Sequence, residues 1–277
     1  MKNTGVENCS ALPRASGTKT ITKSEAIEDT VITGYIVVAA SGVTLNHDCV
    51  IFDGREAEGS AAVVLESAAS NFTISNTTVR AENTTSASFE EAIRNDHSNV
   101  GAVATKDRFE DCAECIHQRW TLNESYVIAN GRAAAPGVHT EVWWLDNNAI
   151  TANDDTLFNP QEQTAIIFAE GSGACENHET VTNSLVAGGG YLFYFCANSR
   201  SVGSSTVDIK NNRFARCATK GEYVRATGGY RCRRGSDAHG YWPRGGYFGV
   251  LGTHYTGRGQ IWERNFWDDD LRTAGKS

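Results

Sequence analysis

The sequence predicts an all-β chain wound as a parallel solenoid with capped ends. Three observations carry this. Polar corners recur along the chain at Asn46, Asn76, Lys106, Asn123, Asn153, Asn183, Asn211 and Asn265, in steps of 30, 30, 17, 30, 30, 28 and 54 residues. Short apolar strands precede and flank each corner. The third observation is composition: Gly 27 and Pro 4, with abundant Asn, Thr and Ser, favour frequent turns over long helix. Self-similarity at such a period, in strands too short to bury both faces alone, is the signature of stacked coils.

In chain order, residues 1 to 30 are polar and irregular and read as an N-terminal cap and lead-in. A single β-helix domain follows over 31–270, interrupted by a glycine-rich insertion at about 218–246, with a tail at 271–277. Each coil combines a continuous apolar strand with a corner flanked by alternation. The first kind includes Ile36–Val38, Val63–Leu65, Ile166–Phe168 and Leu192–Tyr194. Examples of the second are Val43–Leu45, Phe72–Ile74 and Val207–Ile209. The stretch from His139 to Phe158 holds one whole copy: strands at Val142–Leu145 and Ala149–Ala152, an Asn153-Asp154 corner, and a third strand ending at Leu157-Phe158. Asn suits the corner because it tolerates left-handed backbone angles and its amide can bond the copy above.

Composition narrows the function. A chain of 277 residues with 40% hydrophobic content buries a sizeable core. No apolar run approaches the roughly 20 residues that span a bilayer, so no membrane partner is expected. A net charge of -8 argues against nucleic acid, whose backbone calls for a basic face. The one basic cluster, Arg231, Arg233, Arg234 and Arg244, is brief. Eight cysteines beside a single methionine fit an exported, disulfide-supported protein. Cys112 and Cys115 form a CxxC, but with no second CxxC and no βαβ context a disulfide or buried thiol outweighs a metal or redox site. No signal peptide is visible, so a secreted form is expected to be a mature chain with an added Met.

The phrases GVTLNHDCVIFDG, NFTISNTTV, HTEVWWLDNNAI, VDIKNNRFARC and IWERNFWDDD resemble those of secreted bacterial right-handed parallel β-helix proteins of the pectate-lyase-like superfamily. His139-Thr140-Glu141 stands where many of those proteins carry His-Ser-Asp followed by Gly-Ile. The resemblance covers roughly residues 30 to 270. It implies a right-handed winding and a polysaccharide substrate or ligand. It does not fix the reaction, because the superfamily holds lyases, hydrolases, epimerases and tailspikes.

Laying the apolar strands in register on Leu65, Ile93, Ile116, Trp143, Ile166 and Phe193 produces two columns. One residue later stand Glu66, Arg94, His117, Trp144, Ile167 and Tyr194, facing solvent by alternation. Trp144 and Tyr194 would stack on sugar rings, Arg94 and Arg119 would pair with carboxylates, and Glu66 completes the binding face. Two residues before the apolar column stand Glu91, Glu114 and Glu141. Three stacked carboxylates need a cation, an arginine partner or a retained proton. A Ca²⁺ site, an acid–base cluster, and salt bridges with Arg94, Arg119 or Arg132 therefore all remain open.

The resemblance implies a lyase in which Glu91, Glu114 and Glu141 hold Ca²⁺ and Arg119, Arg94, His117 or His139 removes the proton beside a uronate carboxylate. The chain lacks the lysine–arginine and aspartate constellations of known lyase subfamilies. A hydrolase would use Glu114 and Glu141 as a carboxylate pair. A third class is a non-catalytic glycan-binding solenoid. No organic cofactor is expected, and the protein is expected to act as a monomer.

Overall fold

The left-handed backbone that the corners demand recurs on schedule. In the computed structural model φ is positive at His47, Asn76, Lys106, Glu124, Asp154, Asn183, Asn211 and Arg264, one residue in every expected corner. The stacking follows as well: Asn76 Nδ2 donates to Asn46 Oδ1 at 3.0 Å, and Asn183 Nδ2 to Asn153 Oδ1 at 2.7 Å. The next residue in the turn points inward and accepts backbone N–H groups. Thr30 and Asn46 donate to Asp48 at 2.8 and 3.0 Å, Thr77 to Asp107 at 2.8 Å, and Ser184 to Asn212 at 2.9 Å. These side chains satisfy donors that a buried corner would otherwise leave orphaned.

The structure describes residues 4–54, 61–82, 89–131, 138–160, 165–170, 174, 176–188, 191–197, 204–215, 223–226, 229–232 and 260–267. Arg132, Asn83, Cys175, Cys217, Arg233, Arg234, Arg244, His239, His254, Tyr241, Trp242 and Asp268–Asp270 lie outside them.

The chain divides into two units, Met1–Val138 and His139–Ser277. In the first, a single 3₁₀ turn (Cys9–Ala11) precedes three parallel sheets. Sheet one runs β1 (Arg14–Ser16), β4 (Val31–Thr33), β7 (Cys49–Phe52), β10 (Thr78–Ala81), β13 (Arg108–Glu110), β16 (Tyr126–Ile128). Sheet two runs β2 (Lys19–Ile21), β5 (Ile36–Val38), β8 (Ala61–Leu65), β11 (Glu91–Asn95), β14 (Glu114–Gln118). Sheet three runs β3 (Ala26–Glu28), β6 (Thr44–Asn46), β9 (Thr73–Ser75), β12 (Val103–Thr105), β15 (Thr121–Asn123).

The second unit repeats the scheme. Sheet one takes β19 (Thr156–Asn159), β22 (Leu185–Gly188), β25 (Arg213–Ala215) and β29 (Phe266–Trp267). Sheet two takes β17 (Glu141–Asp146), β20 (Ala165–Glu170) and β23 (Tyr191–Ala197), and sheet three takes β18 (Ala149–Asn153), β21 (His178–Thr182), β24 (Thr206–Lys210) and β28 (Gln260–Glu263). An antiparallel hairpin, β26 (Tyr223–Ala226) with β27 (Gly229–Cys232), sits within the glycine-rich insertion. The fold is a parallel β-solenoid, as the repeat predicts.

Two expectations change. Strands begin at Arg14, inside the stretch read as lead-in, and β1 to β3 pair in parallel with the following coil. They are three residues long and mostly polar, so no periodicity announces them. The register also differs at two strands. Val63, not Leu65, pairs with both Ile36 and Ile93, and Ile167, not Ile166, pairs with Trp143 and Phe193.

The interior is filled by the inward row of each sheet. Trp120, Trp143, Phe72, Phe109 and Phe193 are all essentially inaccessible. Phe72 meets Trp120 edge to face at 6.0 Å, and Phe52 stacks on Phe89 at 5.1 Å. Two disulfides, Cys9–Cys49 and Cys112–Cys115, belong to the first unit.

Candidate functional site

Strands β11 and β14 lie side by side, with Ile93 opposite Ile116 and Arg94 opposite His117. Arg94 and His117 share a row as expected, although His117 is buried and does not face solvent, and they meet acidic groups from both ends of β11. His117 Nδ1 lies 3.1 Å from Glu91 Oε1 and 3.2 Å from Asp96 Oδ1. Arg94 Nε lies 3.4 Å from Glu91 Oε2 and donates to Asp96 Oδ2 at 2.6 Å. Arg94 and the His117 ring thus alternate with two carboxylates.

Simple alternation would put Glu91 on the Ile93 side, away from Arg94 and His117. The ladder is irregular at this edge, since Ala113 and Glu114 N–H both donate to the Glu90 carbonyl, at 3.0 and 2.9 Å. The doubled residues lie on the β14 side, and β11 itself keeps regular register with β8 from Glu91 to Arg94. Glu91 is almost buried, at 5% exposure, and lies against both Arg94 and the His117 ring.

Glu114 is the partner of Glu91 on the next coil. Its carboxyl is pushed up from 4.5 to about 7, first by burial and then by the negative charges of Glu91 and Glu90, with His117 and Arg94 pulling the other way. A carboxylic acid that holds its proton near neutrality is the form a general acid needs. The residues flanking it, Cys112 and Cys115, are joined in a disulfide, so Glu114 stands on a covalently closed turn.

The other expected residues separate into distinct environments. Arg119 is exposed on the turn after β14 and makes no ion pair among the described residues, and its carbonyl accepts Asn95 Nδ2 at 2.7 Å. Glu66 lies beyond the end of β8, outside the Arg94 row, because Val64 is the residue opposite Arg94. Its carboxylate is 3.8 Å from His97 Nε2, and its carbonyl accepts Asn99 Nδ2 at 2.7 Å. Glu141 begins β17 in the second unit and is 1% exposed, with the largely exposed His139 ring 3.8 Å from its carboxylate.

In the second unit the corrected register places Trp144, Phe168 and Tyr194 in one outward row, with Phe168 in the position expected of Ile167. Phe168 and Tyr194 stack at 4.9 Å with 7° between planes. Rings stacked along the solenoid axis cover one another's faces and turn their edges to solvent. Tyr194 therefore offers less of the open face that a pyranose needs than the sequence suggests.

Sequence reasoning missed Phe168 and Asp96. Asp96 follows β11 on a turn, and only the fold brings it to His117.

The glutamate column was open to three readings, and the ion-pair reading describes Glu91, which meets Arg94. The donor set around Glu91 does not suit Ca²⁺, which takes six to eight oxygens. Here an arginine and a histidine occupy the carboxylate's approach. No group of three or more His, Cys, Asp or Glu side chains among the described residues is arranged to hold a metal ion.

Comparison with protein-family models, with characterised proteins and with solved structures finds no match to the chain.

Proposed function

We propose that the protein is an exported carbohydrate-active enzyme that cleaves a glycosidic bond by acid–base chemistry on sheet two of its first unit. Glu114 is the proton donor and Glu91 the carboxylate beside it, held by Arg94 and His117. The observation that carries this reading is Glu114 itself, a carboxyl raised to about 7 next to a second carboxylate. Strands about 4.8 Å apart put such a pair near the roughly 5–5.5 Å separation of a retaining glycosidase. The resemblance to pectate-lyase-like β-helix proteins supports the substrate class, as do the disulfides for export.

In this reading Glu114 protonates the leaving oxygen as the bond to the anomeric carbon breaks, and Glu91 stabilises or captures the positive charge left on the ring. Water then takes the place of the leaving group and returns the proton. Glu90, Glu91 and Asp96 outnumber Arg94 around the site, which disfavours a polyuronate and favours a neutral glycan.

The exposed Arg119, without an ion pair among the described residues, favours a second reading, β-elimination of an acidic glycan, with Arg119 meeting the uronate carboxylate.

Incubation with a panel of neutral and uronic-acid glycans separates the two. New reducing ends without ultraviolet absorbance indicate hydrolysis, and an absorbing unsaturated uronide indicates elimination. Full activity in Glu114→Gln refutes the proton-donor role in either case.

A further inference from the structure

Outward side chains of a solenoid sheet ordinarily meet water, and on sheet one of the first unit they do so only past a definite point. Register aligns Val31, Cys49, Thr78, Arg108 and Tyr126 in one outward row, beside an inward row of Ile32, Val50, Val79, Phe109 and Val127. The first three outward residues are nevertheless buried, at 1%, 0% and 2% exposure, whereas Arg108 is exposed. The cover is the segment that precedes β1.

That segment is fastened at five places, one of them at its end, where Val31 N–H donates to the Pro13 carbonyl at 2.7 Å. Val6 N–H donates to Thr78 Oγ1 at 2.9 Å, and the same hydroxyl donates to the Val6 carbonyl at 3.1 Å. Gly5 N–H donates to the Lys106 carbonyl at 2.7 Å. Val6, Cys9 and Leu12 pack on Val31, Cys49 and Ile51. Cys9 is disulfide-bonded to Cys49 across a separation of 40 residues. Gly5 is required where it stands: its φ is +64°, and a Cβ there would run into Thr78 Oγ1 and come within 2.7 Å of Arg108 Cβ.

We propose that Gly5–Pro13 is a redox-locked strap, which reduction of Cys9–Cys49 releases from sheet one without unfolding the coils beneath it. Among the described residues the noncovalent hold consists of four hydrogen bonds and a few apolar contacts. Each hydrogen bond contributes about 0.5–1.5 kcal/mol, a sum that leaves local opening accessible once the covalent tie is gone. The sheets do not need the strap for their own ladders, since β4, β7, β10 and β13 pair directly with one another.

The chemistry is thiol–disulfide exchange with a dithiol reductant. Its thiolate attacks the Sγ of Cys9, the more exposed residue of the pair, and Cys49 leaves as a thiolate and takes up a proton. The second thiol of the reductant then closes on the mixed disulfide, freeing Cys9 as a thiol and leaving the reductant as its cyclic disulfide. Two electrons and two protons pass to the protein. Release uncovers Val31, Ile51 and a free Cys49 thiol as an apolar strip.

The test is the Cys9→Ser variant, which removes only this tie. With iodoacetamide as the probe and peptide mapping as the readout, Cys49 is expected to lose its protection and alkylate readily. A protease is expected to cut within residues 4–13, and the far-ultraviolet β spectrum to stay unchanged. Wild type treated with dithiothreitol is expected to show the same labelling at Cys49. Persistent protection of Cys49 in Cys9→Ser overturns the proposal, because the strap then holds without the lock. Loss of the β spectrum overturns it too, because the segment is then part of the folding core.

Discussion

Glu179 on β21 is a carboxyl in the wrong solvent. It is 1% exposed, neither oxygen has a hydrogen-bond partner among the described residues, and its row neighbours are Ile150 and Val207. Burial alone raises it well above 4.5, with no charged neighbour contributing. Burial thus favours its neutral form, and that form also lacks partners among the described residues, at a cost of roughly 1–3 kcal/mol. Leucine is of similar volume and has nothing to satisfy, so Glu179→Leu is expected to stabilise by about that amount.

The sign of the pH dependence follows from the raised value. Protonation favours the folded state, so the stability that the proton confers is fully present below about pH 4.5, the unfolded value, and is lost as pH climbs toward the folded value. Across that window the gap between Glu179→Leu and wild type widens by about 1.4 kcal/mol per pH unit. Thermal melting at several values from pH 4 upward measures it. Glu179→Gln should abolish the widening while keeping part of the polar cost. A gap that does not change with pH, or a destabilised leucine variant, refutes the reasoning.

Three further outcomes test the coil architecture. Asn76→Ala puts alanine at φ +50° and removes the bond to Asn46, so it should cost about 1–2 kcal/mol for the backbone and up to about 1.5 more for the bond, read by urea denaturation. Gly188→Ala combines φ +79° with a Cβ that would collide with the Asn159 carbonyl, and expression at reduced yield with a clearly lowered melting temperature is expected. Trp143→Ala empties a fully buried site and should cost about 3–5 kcal/mol, seen in the same melts.

The solenoid was legible in the sequence because its corners impose a backbone requirement that few residues meet. Asn76, Asn183 and Asn211 announce it by type, and Lys106 and Arg264 only by spacing. Strand phase was less legible, and the reason is burial. All of Ala61–Leu65 and all but two residues of Ala165–Glu170 are buried, so those strands lack the alternation that would mark the inward side. The slips at Leu65 and Ile166 follow from this, and the second concealed Phe168. Strands β11 and β14, where Arg94 and His117 interrupt the apolar run, were phased correctly, and that is where the candidate site lies. Asp96 and the strap reach their partners from outside the strands, where the repeat carries no information. Cys9 was visible as an oxidisable residue, but its pairing with Cys49 depends on how the segment crosses sheet one.

The account of function rests on a carboxyl at Glu114 that keeps its proton far beyond the ordinary range, and a titration of that side chain by carbon-13 NMR tests this directly. A midpoint near 7 is predicted, falling toward the ordinary value in Glu91→Gln, together with activity lost as pH rises through the same range. A midpoint near 4.5 in the wild-type protein would contradict it.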